Sequence, residues 1–417
     1  MVEVNLQTVL AILIFSFGAS CQILPQAEAP APSTSIRDAL AGAPAPTALT
    51  DAAALAATIA TSDSLAAIVS STSGLAADDC RNLNAVLDNI NTAFIGPQRT
   101  AVVGPVSVAY RSFGPLRSSE RLQKPLVLVI GIACTMSDWT PRLLRSLAVN
   151  REVIIFDNAG IGQSTISAGT NVTAADYFKF QADTLAGLIQ ELSLNQPDVL
   201  GWSLGAKIAL HLGVYHSSIF GKLISDAGSA GGPNSSTAVL DAVDVGIPVV
   251  QRLTKFKTLL ERPSNAATVC QWVLEKEAMP LDGVTAEEIQ AQVEAEVAYH
   301  AADAGIVAGL PLIKNPTLVI TSSNDLTNPP SNQASTPYMP EYPSRQRSIM
   351  PAGPVMAGVP GAVLVTFQGC GHLAPFQEPE KFVALVDSFL EAKGSFQPEA
   401  ASAYTCQGLG LPNKTTR

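Results

Sequence analysis

The sequence predicts an α/β protein with a mostly parallel central sheet and helices on both of its faces. From about residue 98, short apolar runs of strand length alternate with longer stretches of helical pattern. Runs that are apolar throughout are typical of strands buried on both faces, and this alternation is typical of parallel sheets. The strand-like runs are residues 106–110, 126–130, 153–156, 198–200, 222–224, 317–321 and 363–367.

The clearest helix between these runs covers residues 174–194. Its large apolar side chains recur at helical spacing and fall largely on one face; they are Tyr177, Phe180, Leu185, Leu188, Ile189 and Leu192. A helix of this kind packs its apolar face against a sheet. Ligands of parallel sheets bind beyond the carboxyl ends of the strands, so polar residues that directly follow strands are the candidates for chemistry.

The composition excludes several classes of protein. Hydrophobic residues make up 47% of the 417 residues and charged residues only 14%, whereas a disordered chain needs low hydrophobicity and high charge. The apolar run 9–19 is shorter than the ~20 residues that cross a bilayer, which excludes a polytopic membrane protein. A net charge of −10, with no cluster of lysines or arginines, excludes nucleic acid as a partner. We expect a small, neutral or apolar substrate.

The amino terminus has the pattern of a secretory signal peptide over residues 1–21, in which an apolar stretch is followed by small residues. The residues before that stretch include Glu3 and neither Lys nor Arg, so an uncleaved anchor or an organelle leader is the alternative. Sequons at Asn171, Asn234 and Asn413 agree with a secreted glycoprotein. We expect a secreted or lumenal protein with no stable membrane span after signal cleavage.

The remaining flanking segments differ from the alternating region in composition. Residues 22–49 form an Ala-, Pro- and Ser-rich linker, residues 50–97 an Ala-rich segment with helical spacing, and residues 394–417 a tail. The six cysteines form no CxxC pair, so nothing supports a zinc or thioredoxin-like site. Some cysteines of an exported protein pair, and Cys80 and Cys406 are the first candidates for a disulfide.

One pentapeptide carries the strongest chemical signal, Gly201-Trp202-Ser203-Leu204-Gly205. It follows a predicted strand and precedes a predicted helix, which is the setting in which a GxSxG motif exposes its serine. Gly201 and Gly205 are needed because side chains there would collide with the neighbouring strand and helix. The turn also places Ser203 at a helix amino terminus, whose partial positive charge favours a developing oxyanion. Ser203 is therefore the candidate nucleophile.

A serine nucleophile needs a base, and four histidines are available. His211 and His216 lie on the helix that leads away from Ser203, and His300 lies in a long helical insertion. His372 follows the last strand in a glycine-containing loop that can bend its imidazole toward the serine. His372 is therefore the candidate base.

The base in turn needs a carboxylate that orients it. Asp325 follows the buried run 317–321 and is the first choice for this acid. Asp226, at the end of the preceding strand, is the alternative. The chain order Ser203, Asp325, His372 is the order found with a nucleophile elbow, and it differs from the orders of chymotrypsin and subtilisin.

Taken with two further segments, these motifs resemble the α/β-hydrolase family. Residues 151–164 (REVIIFDNAGIGQS) are similar to the turn after the family's fourth strand, and residues 371–382 (GHLAPFQEPEKF) to its histidine loop and last helix. The resemblance implies a mostly parallel eight-stranded sheet with a helical cap inserted after strand six. It divides the chain into a core of residues 98–228 and 315–393 and a cap of residues 229–314.

The same resemblance implies an oxyanion hole made by the backbone N–H groups of Leu204 and Ile132. The family usually has His-Gly in the loop after strand three, whereas this chain has Ile130 before Gly131. Because the donor is a backbone N–H, the hole does not depend on the residue type at position 130. Ala159 stands where the family often has arginine, and we expect this difference to affect packing rather than chemistry.

These features together predict a serine hydrolase, most simply a carboxylesterase that cleaves a small neutral ester through an acyl-enzyme on Ser203. No metal or organic cofactor is implied. The same triad on a peptide, thioester or peracid substrate is one alternative, and a non-enzymatic binding protein on a hydrolase fold is another. Neither the acyl-chain length nor the oligomeric state follows from the sequence.

Overall fold

A single sheet of nine strands organises the described part of the chain. This computed structural model describes residues 93–115, 123–132, 134–232, 235, 284–301, 305–323, 325, 327–332, 354–399 and 404. The strands are β1 (Arg99–Val103), β2 (Val106–Phe113), β3 (Leu126–Val129), β4 (Val153–Phe156), β5 (Thr165–Ile166), β6 (Asp198–Trp202), β7 (Leu223–Asp226), β8 (Thr317–Ser322) and β9 (Val363–Phe367). Their spatial order is β1-β2-β4-β3-β6-β7-β8-β9, and β5 pairs with β2.

The sheet is mostly parallel, as the sequence predicts. Strands β4, β3, β6, β7, β8 and β9 run parallel to one another, and the antiparallel pairs are those that β2 forms with β1, β4 and β5. Every residue of β3, β4, β6, β7 and β8 is buried, so both faces of the sheet centre are covered. The predicted count of eight strands is one short, because β5 is a two-residue strand beside β2.

Seven α-helices lie in the described ranges. They are α1 (Pro141–Leu147), α2 (Tyr177–Glu191), α3 (Leu204–Tyr215), α4 (Ala286–His300), α5 (Pro354–Gly358), α6 (Ala374–Gln377) and α7 (Pro379–Glu391). Helix α1 packs against α7, whereas α2 packs against both α3 and α4. Helix α3 also packs against β3, β6 and β7, so it lies directly on the centre of the sheet.

The parallel strands bring the predicted triad residues to one edge of the sheet. Ser203 directly follows β6, Asp325 follows β8, and His372 follows β9. Because parallel strands end at the same edge, three positions that lie far apart in the sequence are delivered to one place. The fold therefore brings together a site from residues that lie far apart in the sequence.

Several sequence predictions fall wholly or partly outside the described residues and stay predictions. These are the signal peptide 1–21, the linker 22–49, almost all of segment 50–97, the middle of the insertion 229–314, and the Cys80–Cys406 disulfide. Cys370 forms a disulfide whose partner also lies outside the described ranges. Of the three sequons, Asn171 is described, and it is exposed. No helix in the described ranges is long and apolar enough to cross a membrane.

Candidate active site

Ser203 occupies a strained turn between β6 and α3. Its backbone has φ 58° and ψ −120°, a conformation that residues other than glycine rarely adopt. A Cβ atom at Gly201 would lie 2.2 Å from the carbonyl oxygen of Gly205, and one at Gly205 would lie 2.1 Å from that of Val129. The turn is therefore so tight that only glycine fits two residues before and two residues after Ser203.

The side chains of Ser203, His372 and Asp325 form one hydrogen-bonded line. His372 Nδ1 donates to Asp325 Oδ2 over 2.8 Å, and Ser203 Oγ donates to His372 Nε2 over 2.9 Å. All three side chains are buried. With its proton fixed on Nδ1 by the carboxylate, the imidazole presents the lone pair of Nε2 to the serine hydroxyl, which is the arrangement needed for general-base activation.

The loop after β8 holds Asp325 as a hydrogen-bond acceptor. The backbone N–H groups of Thr327 and Asn328 donate to Asp325 Oδ1 over 2.9 and 2.8 Å. These two donors fix the orientation of the carboxyl group. The second oxygen, Oδ2, is thereby left to face His372, which explains how the acid and the base are aligned.

Asp226, the alternative acid, lies at the end of the adjacent strand but outside this line. Its side chain is buried, and neither carboxyl oxygen has a hydrogen-bond partner among the residues that the structure describes. Burial, together with the charge of Asp325, raises the pKa of Asp226 well above its ordinary value. Its backbone carbonyl accepts the N–H of Ser203 over 2.9 Å, so Asp226 contributes to the elbow through its main chain.

The loop after β3 passes directly beside the nucleophile. A Cβ atom at Gly131 would lie 3.3 Å from Ser203 Cβ and 2.9 Å from the Trp202 ring. Ile132 is the next residue of this loop, and Leu204 is the first residue of α3. The structure therefore places the two residues predicted to form the oxyanion hole in the segments that border Ser203.

The turn after β4 supports that loop. Asp157 accepts the backbone N–H of Met136 on Oδ1 over 2.7 Å and that of Gln163 on Oδ2 over 2.9 Å. Ala159 stands where the family often has arginine. Its backbone N–H donates to Gln181 Oε1, and its carbonyl oxygen accepts from Gln181 Nε2, both over 2.8 Å. The segment therefore acts as a scaffold that ties the continuation of the oxyanion loop to the sheet.

Two residues that sequence reasoning did not single out hold the histidine loop. Trp202 Nε1 donates to the carbonyl oxygen of His372 over 3.0 Å, and the two rings lie 5.3 Å apart. Gln377 Oε1 accepts the N–H of Gly371 over 2.9 Å. Trp202 stands inside the GxSxG pentapeptide, so its position was a signal. Its partner lies 170 residues away, however, and no local pattern identifies such a contact.

The other histidines lie away from the triad. His211 is buried on α3 and its Nδ1 donates to the carbonyl oxygen of Lys207 over 2.8 Å. His216 Nε2 pairs with Asp183 over 2.7 Å at the end of the same helix. His300 contacts Lys207, Glu296 and Ser235 in a separate cluster. Of the four histidines, His372 is the one in contact with Ser203.

A sequence model of the alpha/beta hydrolase family matches residues 126–385, which is well over half of the chain. This range begins at β3 and includes the elbow, the Asp325 loop and the His372 loop. The chain belongs to the alpha/beta hydrolase family. The predicted family resemblance is confirmed, and with it the fold.

Individual relatives of this alpha/beta hydrolase are distant. It is 26% identical over 252 residues to 2-hydroxy-6-oxononadienedioate/2-hydroxy-6-oxononatrienedioate hydrolase 2 of Pseudomonas putida, covering 59% of this chain and 79% of the relative. An alpha/beta hydrolase fold protein from Chitinophaga pinensis superposes with a TM-score of 0.53 at 22% identity, covering 72% and 100% of the two chains. An esterase from Rhodococcus sp. ECU1013 gives 0.52 at 19% identity, covering 71% and 99%. The two structural likenesses show the shared fold.

Proposed function

We propose that this alpha/beta hydrolase is a serine esterase that cleaves small neutral carboxylic esters. The observation that carries the proposal is the hydrogen-bonded line from Ser203 through His372 to Asp325 at a strained nucleophile elbow. A serine hydroxyl is a poor nucleophile by itself, and this arrangement supplies the base that removes its proton and the carboxylate that orients the base.

The proposed reaction proceeds through a covalent acyl-enzyme. Ser203 Oγ attacks the ester carbonyl carbon while its proton passes to His372 Nε2, and Asp325 stabilises the imidazolium that forms. The backbone N–H groups of Leu204 and Ile132 receive the negative charge of the carbonyl oxygen. The carbon–oxygen bond to the leaving group then breaks, and the leaving alcohol takes the proton from His372. A water molecule then attacks the acyl-enzyme and gives a proton to His372. The bond between Ser203 Oγ and the acyl group breaks, the proton returns to Ser203, and the carboxylic acid is released.

The charge distribution favours a neutral substrate. The chain has a net charge of −10, which disfavours the approach of anions. In the described ranges, the fully buried lysine and arginine, Lys207 and Arg151, are each already paired with a carboxylate, Glu296 and Asp387 respectively. A buried anionic substrate needs a cation that compensates its charge, and these two are already engaged.

A second candidate comes from the relative in Pseudomonas putida. That enzyme is named for 2-hydroxy-6-oxononadienedioate, a substrate with two carboxylate groups. The likeness covers 59% of this chain, so this substrate class is the principal rival of a neutral ester. The remaining candidates are a peptide, thioester or peracid substrate and a binding protein without catalytic activity.

A substrate panel tests the proposal with the purified full-length protein and its Ser203→Ala variant. The panel contains p-nitrophenyl esters of acetate, butyrate and octanoate, a matched p-nitroanilide, a thioester, a peracid and 2-hydroxy-6-oxononadienedioate. We expect kcat/KM for at least one ester to exceed that for every other class by about 100-fold, and to be lost in Ser203→Ala. A preference for the dienedioate, or ester turnover that survives in Ser203→Ala, would refute the assignment.

A further inference from the structure

A second cluster of buried ionisable groups lies one helical turn beyond the nucleophile. Lys207 of α3 pairs with Glu296 of α4, and its Nζ also lies 3.3 Å from His300 Nε2. The side chains of Lys207, Glu296 and His300 are 1%, 7% and 4% exposed. Burying an ion pair costs desolvation energy, so a gain in stability does not by itself explain why a cluster is buried this deeply.

The hydrogen bonds of this cluster form a continuous relay from the nucleophile helix to the insertion. His300 Nε2 lies 3.3 Å from Lys207 Nζ and 3.4 Å from Glu296 Oε2, His300 Nδ1 lies 2.9 Å from Ser235 Oγ, and Ser235 Oγ donates to the carbonyl oxygen of Gly232 over 3.1 Å. With the proton of neutral His300 on Nδ1, Lys207 Nζ donates to Nε2 and Nδ1 donates to Ser235 Oγ. Every group in the relay is satisfied when His300 is neutral. The cluster then contains one positive and one negative charge, so its net charge is zero.

Around this relay the two stems of the insertion are joined to each other. The outgoing stem follows β7 and the returning stem includes the end of α4. Gly232 N donates to the carbonyl oxygen of Tyr299 over 3.0 Å, Tyr299 OH donates to that of Ser229 over 3.1 Å, and Ile306 N donates to that of Ala230 over 2.9 Å. Lys207 reaches this junction from the first turn of α3, the turn that begins beside Ser203.

Protonation of His300 would change this balance. A proton on Nε2 removes the lone pair that accepts from Lys207 and places a second positive charge 3.3 Å from Nζ. Glu296 can compensate one of the two charges, so the cluster gains an uncompensated charge in a buried place. Histidine is the side chain whose charge ordinarily changes between about pH 5 and 8.

Four other titratable groups in or beside the cluster keep one charge state over that range. Burial raises the pKa of Glu296, but the neighbouring charge of Lys207 outweighs this effect, and the pKa of Glu296 is lowered to about 2. Burial lowers the pKa of His211, whose ring lies 5.5 Å from that of Tyr299, to about 4. Burial raises the pKa values of Tyr299 and of Tyr177 on α2, so both phenols stay neutral.

We propose that Lys207 and Glu296 are positioning residues that clamp both stems of the insertion to the first turn of the nucleophile helix, and that protonation of His300 loosens this clamp. The clamp consists of Lys207, Glu296, His300 and Ser235. It goes beyond the proposed esterase activity, because it concerns how the insertion is held and not which bond is cleaved.

Hydrogen exchange of the full-length protein tests the clamp without any substrate. Amide exchange in peptides that cover residues 229–235 and 286–300 is compared at pH 8 and pH 5, after correction for the intrinsic pH dependence of exchange. In the wild type we expect about tenfold faster exchange at pH 5. In His300→Gln, which keeps a polar neutral side chain, we expect the same exchange at both pH values. A pH effect of equal size in wild type and His300→Gln, or none in the wild type, would overturn the proposal.

Lys207→Met gives a second and sharper arm, because it should reverse the direction of the effect. Without the lysine, a protonated His300 is left with Glu296 alone, and the two form an ion pair that tightens the junction. Exchange should therefore be slower at pH 5 than at pH 8. A buried position that matters only for packing predicts no reversal, so its absence would also overturn the proposal. His216→Gln at the half-buried end of the same helix is the matched control and should behave as the wild type.

The positioning part has its own measurement, and this arm alone rests on the proposed function. The rate at which a fluorophosphonate labels Ser203 is measured at pH 8 and pH 5 in wild type and His300→Gln. The pH 8 to pH 5 ratio is compared between the two proteins, so that any pH effect common to both cancels. We expect the pH 8 to pH 5 ratio to be about threefold smaller in His300→Gln, and equal ratios would remove the link to the nucleophile helix.

Discussion

Two aspartates at the ends of neighbouring strands have opposite surroundings, and these surroundings decide their roles. Asp325 accepts hydrogen bonds from two backbone N–H groups and from His372, which together fix the orientation of its carboxyl group. Asp226 is equally buried, but its carboxyl oxygens have no hydrogen-bond partner among the described residues, and burial and the charge of Asp325 raise its pKa. Asp325 is therefore the hydrogen-bonded partner of the histidine, whereas Asp226 is a buried acid with a raised pKa beside it.

Replacement of each aspartate by asparagine separates these roles. Asp325→Asn should lower kcat by about 10³–10⁴-fold, because the amide no longer holds the productive imidazole tautomer. Asp226→Asn should change kcat by less than about threefold, because the side chain of Asp226 lies outside the hydrogen-bonded line that joins Ser203, His372 and Asp325. Steady-state kinetics on the best ester of the panel measures both. A larger loss in Asp226→Asn than in Asp325→Asn would reverse the assignment of the acid.

Asp226→Asn should also change how the melting temperature depends on pH. The pKa of Asp226 is higher in the folded state than in the unfolded state, so its stabilising contribution is complete below about pH 3.8 and is lost as the pH rises. Asp226→Asn removes this loss. Its melting temperature should therefore exceed that of the wild type at pH 8 by more than it does at pH 4.

Sequence alone ranked Asp325 first and left Asp226 as the alternative. Asp226 is the last residue of β7 and Asp325 follows β8, and adjacent parallel strands end at the same edge of the sheet. The structure distinguishes them, because the backbone N–H groups of Thr327 and Asn328 donate to the carboxyl group of Asp325. Ser203 and His372 could be predicted from the sequence more directly, because a glycine-flanked elbow and a glycine-containing loop are recognisable local motifs.

At the scale of elements, α2, α3 and α4 meet around a buried histidine. The His211 ring stacks on Phe178 of α2 with centroids 5.5 Å apart and planes at 23°, and Tyr299 of α4 lies at the same distance. Burial lowers the pKa of His211 from 6.5 to about 4, so the ring is neutral in the folded protein at neutral pH. The junction of three helices thus contains a group that favours the unfolded state as the solution becomes acidic.

The folded-state pKa of His211 is depressed, so its contribution to stability is complete above pH 6.5 and is lost as the pH falls toward 4. This loss amounts to about 2 kcal/mol between pH 7 and pH 5, at about 1.4 kcal/mol per pKa unit. Between pH 7 and pH 5, the free energy of unfolding of His211→Leu should therefore fall by about 2 kcal/mol less than that of the wild type. Urea unfolding at both pH values measures it, with His216→Gln at the half-buried end of α3 as the control. An unchanged pH dependence in His211→Leu would contradict the account.

The strands that sequence missed are those with the least local pattern. Strand β1 is an edge strand whose Arg99, Thr100 and Val102 are exposed, and its stability comes from pairing with β2 across a short turn. Strand β5 has two residues and no periodicity at all. The predicted strands, in contrast, are mostly buried throughout, and continuous apolar runs are the pattern that burial on both faces produces.

At the scale of the whole molecule, the chain order of the site is a consequence of the fold. Ser203, Asp325 and His372 follow β6, β8 and β9, so the order of strands in the sequence fixes the order of the triad. The apolar composition is explained in the described part by a sheet buried on both faces and by helices such as α3, which is buried along most of its length. The division into leader, core and insertion remains a prediction for the residues outside that part.

What sequence could not supply at this scale is the set of contacts between distant segments. The Trp202–His372 hydrogen bond and the Lys207–Glu296 pair join residues separated by 170 and 89 positions. Such contacts exist only after the sheet and helices have assembled, and each residue alone has an ordinary structural explanation. Sequence motifs were enough to predict the fold, whereas the long-range contacts that support the site are visible only in the folded structure.

Covalent labelling tests whether Ser203 is a nucleophile that His372 activates. The wild type, Ser203→Ala and His372→Ala are incubated with a fluorophosphonate probe at pH 8, and the modified residue is located by mass spectrometry. We expect labelling of the wild type at Ser203, none in Ser203→Ala, and a labelling rate at least about 100-fold lower in His372→Ala. Labelling at another residue, labelling of Ser203→Ala, or an undiminished rate in His372→Ala would refute these roles of Ser203 and His372.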